Sequence, residues 1–149
     1  LSQNYSQGAM AIARLCPSDY RRYHFPCDAI PCNTELLNGF LYSVNPAAIK
    51  KNINIFAENK RTLCHLKTTH FGDVLFLEIG ATCVGTIHQT HTPLQPHVKG
   101  DEKGYFSFGG SSLIILFPPN TIHFDQDLID ATAAGVEIRC LMGQSMGEN

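Results

Sequence analysis

The sequence predicts an α+β fold, mostly β: a single-domain β-sandwich or barrel-like core with a few short helices. Three observations lead there. Short apolar segments recur at intervals of about ten residues, with glycine, proline or polar turns between them, a spacing that suits a sandwich or barrel. Val74 to Ile79 is a near-continuous apolar run and Leu113 to Phe117 an unbroken one, as in strands buried on both faces. Helix signals are confined to brief stretches, and 149 residues are enough for one domain with its own core.

Taken in order, Gln7 to Leu15 reads as a short helix ended by Pro17. Ser18 to Pro31 is polar, aromatic and proline-bearing, so it reads as an ordered loop or irregular strand. Leu36 to Val44 suits a strand. Asn45-Pro46 before Ala47, Ala48 and Ile49 is a helix start, because asparagine caps and proline is tolerated at the first helical position. Phe56 closes that stretch. Arg61 to Thr69 is strand-like, Phe71-Gly72-Asp73 a turn, and Val74 to Ile79 the next strand. Ala81 to Ile87 follows between Gly80 and Gly85, then a loop over Gln89 to Pro96. Val98 to Gly104 reads as a hairpin turn leading into Tyr105 to Phe117, one strand interrupted by Gly109, Gly110, Ser111 and Ser112. Thr121 to Met142 shows no single period and is expected to form a short strand, a turn and a last strand before Gly143.

The net charge of −2 and a charged content of 16% give no basic face of the kind nucleic-acid binders carry, so no nucleic-acid partner is expected. No apolar stretch approaches the roughly 18 residues that span a bilayer. The chain opens on Leu1 with no visible signal peptide, which suggests a processed chain or a fragment. Six cysteines form no CxxC pair and are expected to be reduced, structural thiols in a reducing compartment. His88, His91 and His97 follow no metal-ligand spacing and lie among Pro93 and Pro96, so a solvated loop is expected there and no metal. His65, His70 and His123 read as surface or edge positions. Phe106 and Phe108 read as core packing.

The interruption GGSS, Gly109 to Ser112, has a chemical option. Glycine inside a strand marks a bulge or a close backbone approach. A serine hydroxyl after it can attack the preceding carbonyl and turn the peptide bond into an ester; glycine leaves that attack unobstructed and tolerates strained dihedrals. β-Elimination and hydration then leave a pyruvoyl group, a carbonyl electron sink for decarboxylation that needs no external cofactor. On these four residues alone a plain turn is the better reading.

The surroundings carry a resemblance. KGDEKGYFSFGGSSLIILF, Lys99 to Phe117, resembles the C-terminal region of phosphatidylserine decarboxylases. RLCPSDYRRYHFPCDAIP, Arg14 to Pro31, is similar to that family's arginine-leucine-x-proline-x-aspartate-tyrosine-histidine-arginine-x-histidine-x-proline segment. FLYSVNP, FGDVLFLEIGATCVGTI and the tail from Phe124 to Gly147 also match, so the resemblance covers nearly the whole chain. It implies one catalytic core over residues 1–149, cut between Gly110 and Ser111 into residues 1–110 and 111–149, with Ser111 the precursor of the pyruvoyl cofactor. His24 matches the segment's second histidine and is the implied base; Asp19 matches its aspartate and is the implied orienter of that imidazole.

Several departures accompany the match. The segment's first histidine is Arg21 here, a group that stays protonated but can contact a substrate phosphate or carboxylate. Ser112 and Ala29 replace the family's usual threonine and glycine. The upstream helical region that family members carry is absent from this sequence. The family further implies phosphatidylserine as substrate, a peripheral membrane surface, a homodimer, and residence at the cytoplasmic face of a bacterial membrane, or a eukaryotic endomembrane as the alternative. Competing expectations are a relative acting on a soluble amino acid, an uncleaved pseudoenzyme or fragment, and a lipoyl- or biotinyl-like carrier module using Lys99 or Lys103.

Overall fold

The computed structural model describes residues 2–82 and 86–149. Its larger sheet is antiparallel and begins with β1, Ala9–Leu15. β1 pairs along its whole length with β9, Ser111–Phe117. β9 pairs in turn with β6, Asp73–Gly80, which pairs with β5, Arg61–Thr68. β3, Ala29–Pro31, and β4, Glu35–Leu37, both lie along β5. A second antiparallel sheet has β8, Glu102–Ser107, between β2, Arg22–His24, and β7, Thr86–Gln89. Among the described residues the sheets face each other as a sandwich and close no barrel. Tyr23 and Phe106 from the smaller sheet pack on Cys64, Leu66, Val74, Phe76 and Phe117 from the larger. Tyr23 lies 6.1 Å from the Phe76 ring and 5.1 Å from that of Phe106.

The helices are short and peripheral. α1 covers Ser2–Tyr5 and α2 Pro46–Lys51. As expected, Asn45 caps α2 through its side-chain oxygen, which accepts from Ala47 N at 2.9 Å, and Pro46 opens the helix. α3, Ile55–Glu58, follows; Val44, Ile55 and Ala81 form a small second core beneath this pair. β10, His123–Phe124, pairs with β11, Gly147–Glu148, and between them runs α4, Gln126–Ala133.

Four expectations are corrected. Gln7 to Leu15 is not a helix: β9 supplies a full ladder to Ala9–Leu15, and Ala9, Ala11 and Ala13 sit opposite Phe117, Ile115 and Leu113. An isolated helix of this length is marginal even when rich in alanine, so the ladder wins. Leu36 to Val44 is strand only to Leu37. Beyond it the chain bends and is held by Asn59, whose amide accepts from Tyr42 N at 3.0 Å and donates to Tyr42 O and Gly80 O at 2.8 and 2.9 Å. The C-terminal region holds α4 where a strand and turn were expected, because the adjacent Leu128 and Ile129 do not distinguish period 2 from period 3.6 over so few residues. The largest correction concerns the interrupted strand. Tyr105 to Phe117 is two strands in two sheets, and Phe108-Gly109-Gly110 is the crossing between them. Of the expected strand Ala81 to Ile87, residues 83–85 lie outside the described residues, Ala81 and Thr82 are not strand, and Thr86 and Ile87 begin β7.

A polar cluster is sealed between the sheets. The Lys103 ammonium on β8 donates to the Glu78 carboxylate on β6, both side chains being fully buried, and also to Gln89 Oε1 at 2.9 Å. Thr62 on β5 donates to the other Glu78 oxygen. Gln89 Nε2 reaches the Tyr23 hydroxyl at 3.3 Å, and that hydroxyl donates to His88 O at 3.0 Å. The ammonium also lies 5.1 Å from the Phe76 ring centroid, so its charge is both paired and set against an aromatic face.

The histidine loop is less solvated than expected. His91 is buried, donates from Nδ1 to Lys103 O at 3.0 Å and meets Phe25 edge-on. His97 stacks on Phe25 at 4.7 Å, and His88 belongs to β7, stacked on Tyr105 at 4.4 Å. These imidazoles fill space that Pro93 and Pro96 suggested was open. His65 is half-buried and faces Asp73 Oδ1 at 3.0 Å. Cys16, Cys27, Cys32, Cys64 and Cys140 are free thiols.

Candidate functional site at the sheet crossing

The crossing from β8 to β9 is tight. Phe108 and Gly109 both adopt positive φ, 59° and 73°, a conformation glycine takes freely and phenylalanine does not. The Phe108 ring is consequently turned outward and is 82% exposed, whereas Phe106, two residues earlier, is in the core. The expectation of core packing therefore holds for Phe106 and fails for Phe108. At Gly110 the nearest atom to an added Cβ is Leu15 O at 3.8 Å, so its side-chain face is uncrowded.

Strand alternation separates the two serines. Ser111 lies in register with Leu15 and Gly80 and points with Leu113 and Ile115 toward the interior. Ser112 lies in register with Arg14 and Ile79 on the opposite face. Both side chains are fully buried. Ser111 Oγ accepts a hydrogen bond from Arg21 Nη2 at 3.3 Å, while Ser112 Oγ has no partner.

Arg21 is brought there by its neighbours. Asp19 Oδ2 accepts from Cys16 N at 2.7 Å and closes the turn that follows β1. Arg21 O then accepts from Phe106 N at 3.1 Å, which anchors the residue beside the end of β8. From that position its guanidinium donates to Phe108 O at 3.2 Å, Ser111 Oγ at 3.3 Å and Cys16 O at 3.3 Å, and lies 5.7 Å from the Phe106 ring centroid. Its Nε is buried without a partner. Burial pushes the guanidinium below its ordinary value, and the nearby Asp19 charge pulls it partly back; it remains a cation. A donor on Ser111 Oγ favours the deprotonated form of that hydroxyl.

The expected base and its orienter are elsewhere. His24 pairs with Glu102 at the far end of β8. Its Nδ1 donates to Gly100 O at 2.8 Å, and Nε2 accepts from the Tyr20 hydroxyl at 2.9 Å, with the two rings stacked. Asp19 serves the Cys16 turn and makes no hydrogen bond to His24. The β2–β8 register explains this: Arg22 faces Tyr105 and His24 faces Glu102, so only the residue preceding β2 reaches the crossing. Among the described residues no imidazole or carboxylate hydrogen-bonds Ser111 Oγ. Sequence reasoning gave Arg21 a minor part; the structure makes it the side chain on the expected nucleophile. Only the pairing of β2 with β8 sets which of these residues reaches the crossing, and that register is not written in the segment itself.

Among the described residues no group of three or more histidine, cysteine or acidic side chains is placed to hold a metal. Lys103, one candidate for a carrier lysine, is buried and paired, and so cannot present itself at a hairpin tip.

Fold and site define a class: a β-sandwich in which a glycine–serine bond crosses between sheets and a guanidinium holds the serine hydroxyl. The phosphatidylserine decarboxylase family model matches residues 1–148. Similar proteins named phosphatidylserine decarboxylase proenzyme occur in Chlamydia pneumoniae and Chlamydia felis, each 54% identical over 149 residues, covering 100% of this chain and 50% of the relative. One from Chlamydia trachomatis serovar D is 48% identical over 148 residues, 99% of this chain and 49% of the relative. This chain belongs to the phosphatidylserine decarboxylase family. It spans about half the length of the curated relatives it matches.

Proposed function

We propose that this chain is the catalytic core of a pyruvoyl-dependent enzyme that decarboxylates phosphatidylserine to phosphatidylethanolamine, after cutting itself between Gly110 and Ser111. The observation that carries the proposal is the crossing itself: an uncrowded Gly110 beside a buried Ser111 hydroxyl held by Arg21. Ser111 is the nucleophile on the Gly110 carbonyl, and Arg21 is the donor that polarises its hydroxyl.

The residues fit a pyruvoyl group at position 111. The position is dry, flanked by the backbones of β1 and β6, and faces a cation. When formed, the group supplies a carbonyl electron sink for loss of carbon dioxide. The chain's own part is to keep water away and to set Arg21 against the reacting end. Residues 111–149 remain bound after cutting, because β9 stays hydrogen-bonded between β1 and β6.

A lipid substrate at a membrane surface is part of the same proposal. Phe108 and Tyr20, 82% and 57% exposed on either side of Arg21 in the chain and the crossing, suit an interface of headgroups and acyl chains. Homodimerisation and the cytoplasmic face of a bacterial membrane rest on family membership and on the Chlamydia relatives.

The test is carbon dioxide release from phosphatidylserine vesicles and, separately, from soluble amino acids. Release from the vesicles by the wild-type protein and none by Ser111→Ala is expected. Release only from a soluble amino acid would replace the lipid by that substrate.

A further inference from the structure

We propose that Arg21 is a catalytic residue of the cutting reaction: it neutralises the carboxylate that forms on Gly110 and then holds the cut end. The inference rests on the self-cleavage proposed above and goes beyond it.

The atom balance identifies the role. Ser111 Oγ attacks the Gly110 carbonyl carbon; the bond from that carbon to Ser111 N breaks, and the hydroxyl proton ends on the freed amine. The product is an ester through Oγ. Removal of the Ser111 Cα proton then breaks the Cβ–Oγ bond, and the electron pair leaves with Oγ. The oxygen that began on Ser111 thus becomes one of the two carboxylate oxygens of Gly110. The residue left at position 111 is dehydroalanine; it takes up water, releases ammonia and becomes the pyruvoyl terminus. No oxidant is needed, and the proton released with the carboxylate is taken by the ammonia.

Arg21 already touches the oxygen that will carry the charge. Nη2 lies 3.3 Å from Ser111 Oγ and 3.2 Å from Phe108 O, the atoms flanking Gly110 on either side. These are long contacts for a guanidinium, and Nε is buried with no acceptor at all. An orphaned buried donor on a cation is costly unless an acceptor arrives. The Nε–H and one Nη2–H share one edge of the planar fork, the edge that takes a carboxylate through two parallel hydrogen bonds. In the uncut chain Nη2 alone meets a hydroxyl and a carbonyl while Nε is unpaired; in the cut chain the whole edge faces a carboxylate. A histidine at this place would supply one donor in place of two and would lose its charge near neutral pH.

The test follows cutting by intact mass in the wild-type protein, Arg21→Gln and Arg21→Lys, with hydroxylamine added after denaturation to split any ester. Arg21→Gln is expected to cut about 10²-fold more slowly, the size of effect seen when a donor to a developing oxyanion is removed. At intermediate times hydroxylamine should release residues 111–149 beginning with serine, which marks the stalled ester. Arg21→Lys keeps the charge without the fork and should fall between. Its far-UV circular dichroism should be that of the wild type, so it carries the test if the Gln variant does not fold. Cutting of Arg21→Gln and Arg21→Lys at the wild-type rate would overturn the inference and leave the proposed function intact, as would slow cutting with no hydroxylamine-sensitive species. An uncut wild-type protein with no ester would overturn both.

Discussion

Replacing Lys103 by Met is expected to lower the folding free energy by about 3–5 kcal/mol, the usual range for removing one partner of a buried ion pair. Lys103 and Glu78 are both fully buried, with Glu78 held also by Thr62 and Lys103 by Gln89. Without the ammonium, the Glu78 carboxylate keeps a single hydroxyl donor in a setting that includes Phe76 and Tyr23. The penalty belongs to the stranded charge and not to a lost attraction alone. The double variant Lys103→Met with Glu78→Leu should therefore recover most of the loss, because apolar replacements of buried pairs are often neutral or stabilising. Urea denaturation of the two singles and the double measures this as a cycle. A loss below about 1 kcal/mol for Lys103→Met would place the pair at solvent, in conflict with the structure. The pair also ties β8, whose end leads to the crossing, to β6, which borders Ser111.

Gly104→Ala is expected to be similarly damaging for a steric reason. Gly104 sits on β8 opposite Gln89 and Tyr23. A Cβ there would lie 2.1 Å from His88 O and 2.5 Å from the Tyr23 hydroxyl oxygen. The first is backbone in a paired strand and cannot swing aside; the second is fixed by its bond to His88 O. Relief requires β7 to move from β8, which puts the loss at or above the top of the ~1–3 kcal/mol range for overpacking. Thermal unfolding of the variant measures it; an unchanged midpoint would mean that these two strands are not packed as described.

The strands of the central sheet were legible because their signals are local. Arg61 to Thr68 mixes Thr62, Leu63, Cys64, Leu66 and Thr68 with polar residues, and Val74 to Ile79 is apolar but for Glu78, with Gly72 at positive φ in the turn between them. The α2 start was legible because Asn45-Pro46 states its own capping. β1 was not, since its alanines favour helix in isolation and only the distant β9 makes it a strand. The same limit hid the sheet change at Phe108 to Gly110: sequence shows small residues between two apolar runs but not that the runs enter different sheets. It also explains the site. Ser111 and Gly110 follow from the motif, whereas the choice of Arg21 over His24 depends on the β2–β8 register, which no residue in either strand announces. Lys103 and Glu78 are 25 positions apart and read singly as surface charges; their burial is a product of packing.

The most direct measurement is the intact mass of the freshly purified protein under denaturing conditions, beside Ser111→Ala. Two pieces are expected for the wild type, one ending at Gly110 and one beginning with a pyruvoyl group in place of Ser111, and a single species near 16.4 kDa for the variant. One uncut species for both proteins would contradict self-cleavage at the crossing and, with it, the proposed source of the enzyme's cofactor.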